Sequence, residues 1–525
     1  MKKNPNLLWI TTIALGWLFD FLFWKKQPGI NFAVFSVLCL IGGFFVLWKD
    51  EKRPALRTLW LIPLILFFAA ITFLRSEPMT IFLSVLFTLF LMGVLATTFL
   101  GGRWFMYSLA DYVSGFLKLA GSMIARPLSF NAEVKREQAE SGIPPRRVNP
   151  WPVLRGIVIA LPVVAIFAAL LASADVVFGH ELDALIKLLR LENLPEYIFR
   201  LVYILIGAYL LAGVFLHAAL QSRDEKLIGE DKPLMNPFLG FTETAIVLGS
   251  VIVLFAAFVI VQFQYFFGGQ ANLGAGGLTD SEYARRGFGE LATVAFLSLL
   301  MIMGFSTITR RETEVQRRVY SGLSVILVAL VMVILVSAYQ RLLLNELAHG
   351  FFRLRTYSHV FYIWLAILLV AVVILEILHR ERAFALAVVL ASLGFAASLA
   401  LLNVDGFTMR QGILRATQGY YLNVADLASL SDDSVPILVD EFLSPSFPSS
   451  THEAVGAILT CHIQLNSKQP AELQPDWRSF NYSHWAADRA IMKALPYLDA
   501  YNVNTSRWPV RVRTPSGVLY ECRND

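Results

Sequence analysis

The chain has 525 residues, of which 56% are hydrophobic and 16% charged, with 44 Lys and Arg against 39 Asp and Glu. Soluble domains carry roughly 25% charge, so this composition excludes a disordered chain and an ordinary soluble enzyme. The excess of five positive charges is spread over short segments between apolar runs, which argues against nucleic acid as a partner and for charge that sets topology.

In chain order, eleven apolar runs have the roughly 20-residue length that a helix needs to cross a hydrocarbon layer. They cover residues 7–24, 29–48, 57–74, 78–100, 153–176, 196–219, 241–264, 287–308, 319–340, 357–378 and 382–402. The first follows Lys2 and Lys3 like a secretory leader, yet no small-residue cleavage site precedes the next run, so it is read as a retained span. Two other stretches are apolar on one side only. Over 104–124, Ser108, Asp111, Ser114, Lys118 and Ser122 recur every three or four positions; over 178–190, Phe178, Leu182, Leu185, Ile186 and Leu189 oppose Glu181, Asp183, Lys187 and Arg190. Both are expected to be helices lying in the interface.

The fold expected is an all-α transmembrane bundle of about eleven spans with a small soluble C-terminal domain. Its parts are a four-span segment with an interfacial helix (1–125), a basic cytoplasmic loop (126–152), a seven-span core (153–402) and a tail (403–525). Basic segments resist translocation. With the N-terminus inside, 23 Lys and Arg fall in cytoplasmic segments, 11 in outer ones and ten in the tail. The N-terminus is therefore read as cytoplasmic and the tail, after an odd number of spans, as extracytoplasmic. In that oxidising compartment Cys461 and Cys522 are expected to form a disulfide.

The tail carries helix signals. Ser431 precedes Asp432 and Asp433 with an apolar run behind them, Ser450 and Glu453 have capping-box spacing, and Trp477, Phe480, His484, Ala487 and Ile491 repeat at helical intervals. The stretch 508–522, around Pro515-Ser516-Gly517, reads as a β-hairpin.

Ionisable and amide groups within spans are expensive and so are candidates for function; here they are Asp20, His217, Glu243, Gln262, Gln264, Glu290 and Glu376. Most stand near span ends, where the headgroup layer is within reach. Glu290 follows Arg285 and Arg286 by one turn, an arrangement that would keep a buried carboxylate charged. The outer loop before it is rich in glycine and holds Tyr283; it reads either as a flexible loop closed by a helix that starts with charges or as a cradle offering backbone N–H groups and guanidinium forks to an anion. A second outer segment contributes Arg353 and Arg355. Four guanidiniums on the outer side run against the positive-inside bias: either they snorkel to lipid phosphate, or at least one pairs with Asp405 or Asp426 and docks the tail on the bundle.

No nucleotide-binding pattern, Gly-x-Ser-x-Gly elbow, His-Glu-x-x-His or Cys-x-x-Cys occurs in the chain. No catalytic residue, metal or cofactor is therefore expected.

Several segments together carry a resemblance: 265–269 (Tyr-Phe-Phe-Gly-Gly), 283–291, the Phe-Arg-Leu-Arg run at 352–355, Asn403-Val404-Asp405, Arg415, Asp426, Leu427 and 430–436. Over about residues 150 to 445 the chain resembles a family of bacterial polytopic membrane proteins known as a domain of unknown function, 4173/4153-like. It departs from that pattern at 407–414. The resemblance implies a bacterial inner, or plasma, membrane protein, and it brings no catalytic residue, substrate or cofactor.

The leading expectation is a non-enzymatic envelope protein whose partners are the bilayer and, on the outer side, a ligand or envelope protein held by the tail. A transporter or channel is second. An envelope enzyme acting on a lipid-linked substrate, with Tyr283, Arg285, Arg286, Glu290 and 353–355 as its site, is third.

Overall fold

A computed structural model describes residues 5–140, 193–223, 227–228, 237–267, 288–380, 382–420, 422–444, 448–466, 476–505 and 509–522, with scattered residues between 156 and 178. The expected span at 153–176 is described only in part, and most of 178–190 and all of 268–287 lie outside the described residues. Among the described residues ten helices are long and apolar enough to cross a membrane. The bilayer offers no partner for a free backbone N–H or C=O, so segments of this composition close their hydrogen bonds internally as helices.

The helices are α1 (Pro5–Phe23), α2 (Ile30–Lys49), the single turn α3 (Leu56–Leu59) leading into α4 (Leu61–Leu74), α5 (Pro78–Thr97), α6 (Leu109–Glu140), α7 (Leu194–Leu220), α8 (Phe241–Phe267), α9 (Phe288–Ile308), α10 (Glu314–His349), α11 (Arg353–Ile377) and α12 (Ala383–Leu402). Two differ from the expected elements. Trp104–Met106 is a separate 3-10 turn, and α6 runs on through Pro127 to Glu140, into residues read from sequence as loop. There Phe130 and Val134, one helical turn apart, are buried and extend its apolar side. Helix α10 outlasts the expected run by about two turns at its far end. Its start is fixed by a capping box in which Thr313 accepts from the Gln316 N–H and the Gln316 side chain returns to the cap, and it stops only at Gly350, where φ is 85°. The charge at Arg341 ended the apolar run but not the helix.

The described residues form two compact units. One, Met1–Trp24, Leu38–Arg53 and Leu117–Ser222, packs α1 on α7. Its polar groups are paired: Arg200 and Tyr203 donate to Asp20, and Ser122 meets His217 and donates to Gln221. The other unit, Lys25–Val37, Pro54–Phe116 and Arg223–Asp525, packs α4 on α5, α10 against α8, α9 and α11, and α11 on α12. Within it α8 to α11 share one core that includes Leu248, Leu299, Ile302, Tyr320, Val331 and Leu369.

The tail belongs to this second unit. Asn403 turns the chain out of α12 in the left-handed conformation (φ 53°), which Asn tolerates better than most residues, and its side chain accepts the Gly406 N–H. A Cβ at Gly406 would stand 2.6 Å from the Asn403 side chain and 2.8 Å from Ile437, so glycine closes the junction. Then come α13 (Val404–Thr417), α14 (Val424–Ala428), a 3-10 turn (Asp432–Ser434), α15 (Val435–Phe442), α16 (Ser449–Asn466), α17 (Tyr482–Leu498), and strands β1 (Asn502–Asn504), β2 (Arg511–Arg513) and β3 (Leu519–Glu521). The strands form an antiparallel sheet in the order β1-β2-β3, with Val503 opposite Val512 and Val512 opposite Tyr520. The sequence signalled β2 and β3, but β1 is three residues long and polar at both ends, too short for an alternation to register. A separate core, centred on Met409, Val435, Leu438, Phe442, Val455, Ile458 and Val512, holds these pieces together, and Cys461 and Cys522 are joined within it with Cα atoms 5.1 Å apart.

Candidate functional site

Where the tail meets the membrane helices of its own unit, polar side chains form a seam. Helix α5 starts with Pro78 at its first position and Glu77 as N-cap, whose carboxylate accepts the N–H groups of Met79 (2.8 Å) and Thr80 (2.7 Å). The Tyr357 hydroxyl, from the first turns of α11, donates to the same carboxylate. Asp433 reaches this turn from the tail. Its Oδ2 accepts the backbone N–H groups of Ser76 (2.8 Å) and Glu77 (2.9 Å), while the Arg75 guanidinium lies 3.9 Å from Oδ1. Arg75 also donates to the Ala400 carbonyl (2.9 Å), and Asn481, the N-cap of α17, donates to the Arg75 carbonyl (2.8 Å). Two carboxylates thus sit at the positive end of α5, where peptide dipoles favour them.

Beside this turn, Arg353 at the start of α11 forks onto Asp405, Nε to Oδ1 and Nη2 to Oδ2, both at 2.7 Å. Asp405 is fully buried and accepts a third hydrogen bond from the Ser431 N–H (2.7 Å). A buried carboxylate costs several kcal/mol to desolvate; three donors, two of them a bidentate guanidinium, offset that cost. Asp405 therefore couples α11, α13 and the turn that presents Asp433. Elsewhere Lys26 pairs with Asp476 (2.9 Å), and the Ile30 N–H donates to the Phe480 carbonyl (2.9 Å).

Next to the seam, Asp432 lies between two histidines. Its Oδ1 meets His462 Nε2 at 2.8 Å and its Oδ2 meets His484 Nδ1. His462 Nδ1 faces the Ala428 carbonyl at 3.3 Å. Burial opposes the Asp432 charge, but hydrogen bonds from the two imidazoles outweigh it and hold its carboxyl well below the usual range. The Asp432 carboxylate in turn raises the His484 pKa against the opposing effect of burial.

The other candidates are dispersed. Tyr283, Arg285 and Arg286 lie outside the described residues. Glu290, in the first turn of α9, is exposed. Arg355 donates to the Gly350 carbonyl and stacks on Phe352, and Asp426 accepts from the Asn423 side chain while its charge also acts on Arg355. Glu243 caps its own helix by accepting the Gly240 N–H, and Glu376 accepts from Ser306 (3.0 Å) and Arg311 (2.7 Å). Gln262 accepts from Ser337 (3.1 Å) and from Arg341 (2.9 Å), a buried guanidinium that the sequence reading missed. Glu77 was missed too, although a Glu before Pro at a helix start is a capping signal. Asp433 and the two histidines on Asp432 carry no local signal of their pairing, because their partners are distant in sequence.

No curated protein and no solved structure matches the chain. A family model described as a domain of unknown function, DUF4153, matches residues 61–441, a stretch that contains Glu77, Arg353, Tyr357, Asp405 and Asp433 and stops before α16. The chain is a multi-pass membrane protein that belongs to the DUF4153 family.

Proposed function

We propose that this is a non-enzymatic envelope protein of a bacterial plasma membrane, in which a bundle of eleven spans holds an extracytoplasmic domain, residues 403–525, that binds a ligand or partner. The observation that carries the reading is which loops the tail engages. Its hydrogen bonds and ion pairs reach 26–30, 75–77 and 353. The first two segments are separated by two spans, and 353 and the tail by two more, so each pair shares a side of the membrane. Between 77 and 353 stand five described spans; an even number is needed, and the apolar run at 153–176 supplies the sixth. A contact at the opposite ends of the helices imposes the same parity. Asp111 accepts the Ile228 N–H (2.7 Å) across the single described span α7, which again calls for one more crossing. The distribution of Lys and Arg then puts the N-terminus inside and the tail outside.

The seam supports a holding role, since its carboxylates are taken up by protein donors rather than directed into an open cleft. A transporter is the second reading, favoured by Arg341, Gln262 and Ser337, which place a buried charge and its hydrogen-bond partners between α8 and α10. A reporter that is active only outside the cytoplasm, fused after residue 525, tests the leading reading: activity is expected, and a fusion active only as a cytoplasmic reporter would refute it.

A further inference from the structure

Helix α17 leaves the seam at Asn481 and carries Tyr497 sixteen residues further on, about 24 Å along the helix axis. There the tail opens a groove of about 500 Å³. Its inner wall is aromatic. Phe442 stacks on the His452 ring with centroids 4.8 Å apart, and Tyr501 meets Phe442 edge-on at 6.3 Å. Tyr501 seats there because residue 456 is glycine: a Cβ would stand 2.2 Å from the Tyr501 hydroxyl oxygen. His452 Nε2 lies 2.8 Å from the Phe442 carbonyl, an obligate acceptor, so that nitrogen carries the proton and the ring is fixed. Tyr497 is 64% exposed and forms the outer wall.

Glu453 is the single carboxylate of the groove, and no Lys or Arg is among the described residues that line it. Ser516 donates to Glu453 through its hydroxyl. Hydrogen bonds from Ser516 and then Thr514 hold the Glu453 carboxyl below its ordinary pKa, so it is ionised at neutral pH. An exposed aromatic ring beside a carboxylate attracts an organic cation: the ring quadrupole and the negative charge act in the same direction, and a methylated ammonium gives up less hydration to reach them than a primary amine does.

We propose that this groove is a binding site for an organic ammonium group, with Glu453 as the counter-charge and the exposed Tyr497 ring as the aromatic wall. The proposal rests on the reading of the tail as a ligand-binding domain and supplies its ligand class. The cation is either a small quaternary ammonium or the side-chain amine of a peptide, which share this chemistry.

The test uses the full chain in nanodiscs of phosphatidylglycerol, a lipid without an ammonium group. Binding of labelled choline and of a labelled lysine-containing tripeptide is measured by equilibrium dialysis. Saturable binding of either is expected, and which of the two binds assigns the source of the ammonium. Glu453→Gln should weaken binding about tenfold and Tyr497→Ala about fivefold, on the order of the charge and cation–π contributions involved. Both positions are at the surface, and unchanged melting of the variants would show that they fold. Absence of saturable binding by both probes would overturn the proposal. So would binding insensitive to Glu453→Gln, or a neutral N-acetylglucosamine oligomer that binds while the cations do not. Dialysis on purified chain does not depend on which side of the membrane the tail occupies. A negative result here with an active external reporter rejects the ligand class alone, and the reverse pair of results rejects the external placement alone.

Discussion

Asp405 is the residue on which the seam depends most. Its carboxylate is fully buried and takes two of its three hydrogen bonds from Arg353. Removing one partner of such a pair leaves an uncompensated charge, which costs about 3–5 kcal/mol. Arg353→Ala should therefore loosen α13 and the turn at Asp432–Ser434 more than Asp405→Asn, which removes the charge together with the need to pair it. Hydrogen exchange of the α13 and α15 amides checks this; equal protection in wild type and Arg353→Ala would remove Arg353 from the docking account. The bias of basic residues singled out Arg353 and Arg355 together with Asp405 and Asp426 but could not say which would meet. Arg353 and Arg355 are two residues apart and point to different partners, and only the helix phase of α11 decides between them.

The Asp432 cluster makes the tail sensitive to pH on both sides of neutrality. Asp432 has a lowered folded pKa, so its contribution is present above the unfolded value near 4 and is lost as the pH falls through the folded one. His484 has a raised folded pKa, so its contribution is complete below the unfolded value near 6.5 and is lost as the pH rises through the folded one. Protection of the 432–442 amides, corrected for intrinsic exchange, should be greatest between about pH 4 and 6.5 and decline above that window. His484→Gln should flatten the alkaline decline and reduce the acid one without abolishing it, since His462 still holds the Asp432 carboxyl down. An alkaline decline that persists unchanged in the variant would show that another group governs it.

At the scale of elements, the disulfide ties α16 to the end of β3. The bridge closes a separation of 61 residues, for which the chain-entropy model gives about 4 kcal/mol. Cys461→Ser should lower the unfolding free energy of the tail by roughly that amount and leave the membrane helices intact, as read by denaturant titration of near-UV and far-UV circular dichroism. A loss of helical signal equal to that of the whole bundle would mean that the tail and the spans do not unfold separately. Elements were legible in sequence where a period or cap is local: the spans, the turn before α15 and the β2–β3 hairpin. They were not legible where tertiary burial overrides composition. Helix α10 continues past Arg341 because Gln262 receives that guanidinium, and α6 continues past Pro127 because Phe130 and Val134 find a buried face.

For the whole molecule, the account depends on parity. On the proposed reading, one further crossing between residues 97 and 194 puts the contacts of the tail at 26–30, 75–77 and 353 on one side, and that of Asp111 with Ile228 on the other. The measurement that tests the central claim most directly is labelling of single cysteines in intact cells with a membrane-impermeant thiol reagent. The positions are Ser516→Cys, exposed on the tail, and Glu312→Cys, exposed between α9 and α10; Cys39 is buried and Cys461 and Cys522 are bonded. Ser516→Cys should label in intact cells and Glu312→Cys only after permeabilisation. Labelling of Glu312→Cys in intact cells, with Ser516→Cys protected until the membrane is opened, would contradict the external placement of the tail.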